Sequence, residues 1–119
     1  MITKKIEEIE AFTGQEGTQI RQIFSPIETN NTIRYSIAHC TIYPGNSLKP
    51  HIMKTSEMYH ILQGNGIMHI GEEQNQVKQN ETIFVPPMLK QFLENNGKVD
   101  LILLCIVDPA WKQEDEILE

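Results

Sequence analysis

The sequence predicts an all-β domain, a sandwich or barrel of short antiparallel strands. Three observations carry this. Runs of apolar, β-branched and aromatic residues recur at intervals of about eight to twelve residues, with turn residues between them. Ile33–Tyr43 is a long β-forming run that stops at Pro44-Gly45, and Val99–Val107 holds eight apolar residues out of nine, as expected of a strand covered on both faces.

In chain order, Met1–Phe12 places Ile2, Ile6 and Ile9 at helical spacing, yet the same residues would serve as an edge strand or a single turn. Thr18–Phe24 reads as a strand that ends at Pro26. After the polar turn Glu28–Thr32 come Ile33–Tyr43 and then the runs LKPHIM, EMYHILQ and GIMHI, a polar break at GEEQNQ, VKQ, ETIFV, KQFLEN and VDLILLCIV. Asn65-Gly66 predicts a tight hairpin, because both central positions of a type I′ turn need positive φ. Gly71 marks a bend and Pro86-Pro87 closes ETIFV, since proline removes a ladder donor. Asp108 and Pro109 suit the first positions of a short helical turn in the tail, and Glu114–Glu116 reads as a solvated acidic end.

The 119 residues form one domain, residues 1–119, with a core barrel over about 33–107, and bury about two-thirds of their unfolded surface. A net charge of -6 with ten scattered basic residues argues against nucleic acid and against an anionic membrane surface. No apolar run has the length of a membrane span or the pattern of a secretion signal. Cys40 and Cys105 lie within apolar runs and read as buried thiols of a reducing compartment, so a cytoplasmic protein is expected.

The stretch Gly45–Gly64, GNSLKPHIMKTSEMYHILQG, carries the chemistry. Gly45, His51, Glu57 and Gly64 stand in the register of the first cupin motif, G-x5-H-x-H-x3-4-E-x6-G, with Met53 in place of the second histidine. The second motif runs approximately G-x5-P-x-G-x2-H-x3-N. It retains Pro86 and Asn95, with Asn80 and Met88 at its glycines and Gln91 at its histidine. The chain thus resembles the cupin superfamily over about Ile33 to Val107. The resemblance implies a double-stranded β-helix, the jelly-roll barrel, with a short N-terminal segment and a short C-terminal tail.

In that family three histidines and a glutamate hold a divalent metal. The resemblance therefore implies a metal site at His51 and Glu57, with Gln91 carried over by position, for an ion such as Mn, Fe, Zn, Ni or Co. A glutamine oxygen is a weaker, neutral ligand, and the Met53 thioether contributes little to hard divalent ions. The other reading of His51 and Glu57 is a hydrogen-bonded pair in a barrel that holds no metal, or an acid and base acting on a ligand directly. His39 shares its strand alternation with Ile37 and Tyr43 and is a candidate replacement ligand. His60 and His69 alternate against the inward set and belong outside. Met53, Tyr59, Met88 and Phe92 are candidate pocket walls. Trp111 would cover a barrel mouth or a dimer seam.

Two functions follow. One is a metal-dependent enzyme, an isomerase, epimerase or dioxygenase-like catalyst on a small polar substrate. The other is a non-catalytic small-molecule binding or sensing barrel. A sugar-phosphate isomerase is a third, with Lys49, Lys54 and Lys90 the nearby cations. The uncovered apolar strand Val99–Val107 and the N-terminal strands predict a homodimer.

Overall fold

A computed structural model describes residues 1–118 of the chain. Its strands are β1 (Phe12–Thr13), β2 (Gln19–Phe24), β3 (Ser36–Ile42), β4 (His51–Met53), β5 (Ser56–Gln63), β6 (Asn65–Ile70), β7 (Glu73–Lys78), β8 (Thr82–Val85), β9 (Lys90–Glu94), β10 (Leu101–Asp108) and β11 (Glu116–Leu118). They form a six-stranded sheet ordered β1-β2-β3-β10-β5-β8 and a five-stranded sheet ordered β11-β4-β9-β6-β7, with antiparallel pairing throughout. This is the expected all-β jelly roll. No helix among the described residues is long and apolar enough to cross a membrane.

The core lies between the two sheets. Ala38, Cys40, Tyr59, Ile61 and Leu103 from one sheet meet Met68, Val77 and Leu93 from the other. Strand alternation selects these residues, since side chains at i and i+2 share a face. Ile61, Leu93, Leu101 and Leu103 are almost fully buried, and each contributes about 1.5–3 kcal/mol by leaving water. β10 owes its apolar composition to a central position between β3 and β5: Leu101, Leu103 and Val107 face the core, while Ile102, Leu104 and Ile106 half-cover the outer face.

Three local expectations are corrected, and one left open is decided. Asn65-Gly66 is no hairpin. The chain turns at Gly64 (φ 89°) and passes from β5 in one sheet to β6 in the other, and Gly66 is required because a Cβ there would lie 2.2 Å from the Glu94 carbonyl oxygen. The polar stretch GEEQNQ is mostly strand. β7 sits at a sheet edge where only Val77 is buried, so apolar residues are not needed. The N-terminal segment, open between a helix, an edge strand and a single turn, takes the turn: one 3-10 turn, Ile6–Glu8, followed by the short β1. The tail is not a helical turn at Pro109: Asp108 ends β10, a 3-10 turn spans Gln113–Asp115, and β11 pairs with β4.

The positions of the second motif's glycines keep their conformation without the residue. Asn80 (φ 74°) and Met88 (φ 69°) both occupy the left-handed region, which glycine enters at no steric cost. Asn95 holds the adjacent crossing: its amide nitrogen donates to the carbonyls of Ile42 and Val99, and its side-chain oxygen accepts from Gly97 N–H.

Candidate functional site

A cavity of about 320 Å³ opens between the sheets. β4 delivers His51 and Met53, β5 delivers Glu57 and Tyr59, and β9 delivers Gln91, all on inward-facing positions. All five are buried. His51, Glu57 and Tyr59 line the cavity itself, together with Cys40 and Cys105.

His51 Nδ1 lies 2.8 Å from the Lys49 carbonyl oxygen. A carbonyl only accepts, so Nδ1 carries a proton, and in the neutral ring Nε2 is the acceptor. Cys105 Sγ donates to Glu57 Oε2 at 2.6 Å, while Glu57 Oε1 is buried without a partner. Burial pushes the Glu57 carboxyl up, opposed by the Cys105 hydrogen bond, by His51, and by the nearby Tyr59 and Gln91. Hydrogen bonding with Cys40 and burial push the Cys105 thiol well up, so it stays a thiol and a donor. Tyr59 Oη donates to Gln91 Oε1 at 2.6 Å. That bond occupies the amide oxygen and leaves Gln91 Nε2 buried and unpaired.

The donor set does not fit the metal that the motif implies. Gln91 turns a nitrogen toward the unpaired side, and an amide N–H cannot ligate. Met53 offers only a thioether, so His51 and Glu57 are the two suitable donors. Among the described residues no group of three or more His, Cys, Asp or Glu is placed to hold one ion.

His39 does not replace the missing ligand. Ser36, Ala38, Cys40 and Ile42 are the β3 residues that line the cavity, so His39 faces the opposite side, paired across from Arg21. Burial first and the Arg21 charge second push its imidazole down. Two pocket expectations are corrected likewise. Met88 is 57% exposed on a turn. Phe92 alternates away from Gln91 and stacks on His69 at 4.0 Å, where His69 Nε2 also meets Glu94. His60 is on the outer face, against Thr82.

The sequence reading missed one side of the cavity, next to β4. Glu16, from the turn Gly14–Thr18, and Glu116, from β11, both line it, and their carboxyls meet. Burial first, then the hydrogen bond and charge of Glu116, raise Glu16 to about 7. Trp111 Nε1 donates to Glu116 Oε1 at 2.9 Å, and Gln15 Nε2 reaches the Glu116 carbonyl. The acidic run is therefore not simply a solvated end. Its third residue turns inward because β11 adds to a sheet edge, a long-range pairing that no local pattern announces.

Comparison with known proteins follows from this geometry. A family model described as "Cupin domain" matches residues 38–107. The chain belongs to the cupin family. This cupin is 35% identical to an uncharacterized protein of Methanocaldococcus jannaschii over the whole of both chains. It is 25% identical to a mannose-1-phosphate guanylyltransferase of Salmonella typhimurium over 98% of its own length, but spans 25% of that enzyme. Among solved structures, the cupin superposes with a TM-score of 0.78 and 22% identity on a predicted oxalate decarboxylase of Thermotoga maritima, covering 99% of this chain and 100% of that one. An ectoine synthase from P. lautus gives 0.77 and 17% identity, covering 100% and 90%. At these identities the structures speak for the fold.

Proposed function

We propose that this cupin is a small-molecule binding barrel in which His51 and Glu57 meet the ligand directly. The observation that carries the reading is the state of the motif positions. The Gln91 amide oxygen is held by Tyr59, Met53 fills the second histidine position, and His51 Nε2 and Glu57 Oε1 carry no hydrogen bond of good geometry on residues that line the cavity. Such a wall, mostly apolar with a few convergent polar groups, suits a small organic ligand. Elemental analysis of untagged protein tests it. The expected result is no stoichiometric ion, even after incubation with Mn(II), Fe(II), Zn(II), Ni(II) or Cu(II). A stoichiometric ion that is lost in His51→Ala overturns it.

The second reading is a metal-dependent enzyme, favoured by one observation. An imidazole whose Nδ1–H is tied to a carbonyl and whose Nε2 is free is oriented as metal-binding histidines commonly are. The guanylyltransferase relative, named for a small sugar phosphate, supports small-molecule chemistry in general terms.

A cytoplasmic homodimer completes the proposal. Both cysteines are free thiols. Met58 and Phe84, paired across β5 and β8, stand 42% and 56% exposed on the outer face of the six-stranded sheet, beside the half-covered face of β10. A monomer by light scattering would remove that part.

A further inference from the structure

One side of the cavity, where β11 and the Gly14–Thr18 turn stand beside β4, has a composition of its own. Glu16 and Glu116 meet there, and the rings of Trp111 and Phe12 line the same cavity. Among the described residues no lysine or arginine lines any part of it: Lys49, Lys54 and Lys90 all lie outside the lining. The charged and titratable side chains on the wall are three glutamates, one histidine, two thiols and a tyrosine. Such a wall repels phosphates and carboxylates and attracts cations.

Two unpaired atoms point the same way. Glu57 is 6% exposed, lines this cavity, and leaves Oε1 without a well-formed hydrogen bond, Tyr59 and Gln91 being its polar neighbours besides Cys105 and His51. Glu116 Oε2 is also buried, with no donor but a protonated Glu16. A buried carboxylate oxygen without a hydrogen-bond donor is costly, on the order of 1–3 kcal/mol or more. A ligand that carries donors removes that cost. A cation with N–H groups does so best, because charge-assisted hydrogen bonds are roughly twice as strong as neutral ones. Aromatic rings beside it add cation–π attraction.

Building on the small-molecule reading above, we propose that the ligand is a small organic cation, an alkylammonium compound. Its charged end sits against Glu16 and Glu116 beside Trp111, and its apolar part extends toward Ala38, Cys40, Ile42 and Leu103. In the free protein a proton on Glu16, whose carboxyl burial and the neighbouring Glu116 raise to about 7, stands in for that charge. Neither carboxylate lies within residues 38–107, so this ligand end is built by the N-terminal turn and the C-terminal strand that flank the matched cupin domain.

Trp111 is the chain's one tryptophan, so its fluorescence reports on this site. The experiment titrates the whole protein with butylammonium, with 1-butanol and with butyrate. Saturable fluorescence change with butylammonium, at least tenfold tighter than with either other probe and weakened at least tenfold in Glu16→Gln/Glu116→Gln, is the expected result. Glu114→Gln, an exposed neighbour in the same acidic run, controls for general charge and should leave the titration unchanged. Tighter binding of butyrate, or equal loss in Glu114→Gln, overturns the cation assignment while leaving a binding cavity standing. Absence of any response, with unfolding curves also unmoved by all three probes, removes both readings. Near-ultraviolet circular dichroism of the double variant shows that its fold is intact before the comparison is drawn.

Discussion

Cys105 Sγ donates to Glu57 Oε2 across the β10–β5 boundary, so a neutral thiol supports the most deeply buried carboxyl of the site. Two strands distant in sequence supply the two halves of this contact. It has a measurable consequence.

Cys105→Ala removes the donor and leaves a second Glu57 oxygen unpaired, which should cost about 1–3 kcal/mol in denaturant unfolding. Cys105→Ser keeps a donor and should recover a good part of that loss. In the alanine variant the Glu57 carboxyl should also titrate at higher pH than in the wild type, because the Cys105 bond is the first of the influences that hold it down. The carboxyl stretch in infrared spectra reads this directly.

Glu16 predicts how stability varies with pH. Its carboxyl is raised from 4.5 to about 7 in the folded protein, so the folded state holds a proton that the unfolded chain has released. Stability from this group is therefore full below pH 4.5, declines as pH rises through the interval, and reaches its floor above pH 7. The rise from 4.5 to about 7 corresponds to roughly 3 kcal/mol between those limits. Glu16→Gln has no proton to lose. Urea unfolding at pH 5 and pH 8 should show a smaller difference for the variant, and the variant should be the more stable protein at pH 8.

Met53→His/Gln91→His restores the two absent histidines beside His51 and Glu57. Calorimetry with Zn(II) or Ni(II) should detect binding at a stoichiometry of about one in the double variant and none in the wild type, as expected where imidazole replaces thioether and amide donors. Equal affinity in both proteins would contradict the account of Gln91 and Met53 given above.

Met88 should gain from becoming glycine. Its φ of 69° carries a left-handed penalty that a side chain 57% exposed does little to offset. Met88→Gly should leave stability unchanged or raise it by up to about 1 kcal/mol, the left-handed relief being partly offset by added freedom of the unfolded chain. Met88→Ala, which keeps a Cβ, should bring no such gain.

The sequence by itself determined the all-β class, the strands around the motif and the inward register of His51, Glu57, Tyr59 and Gln91. These are local facts: a two-residue period, a proline or a glycine at a bend, and motif spacing all act within about a dozen residues. The same alternation on β3 left His39 ambiguous, because apolar residues occupy both its faces. Only the pairing of β3 between β2 and β10 decided that Ala38 and Cys40 face the cavity and His39 does not. The tertiary structure also decided that Gln91 spends its oxygen on Tyr59 and that Phe92 belongs to His69. It decided the acidic side of the cavity as well. Glu16 and Glu116 are a hundred positions apart, and neither has a neighbour in sequence that marks it as inward. They meet because β11 pairs with β4 while the Gly14–Thr18 turn packs against it through the Gln15–Glu116 contact. Strand pattern is written locally, but which carboxylates come together depends on contacts between chain segments that the pattern does not encode.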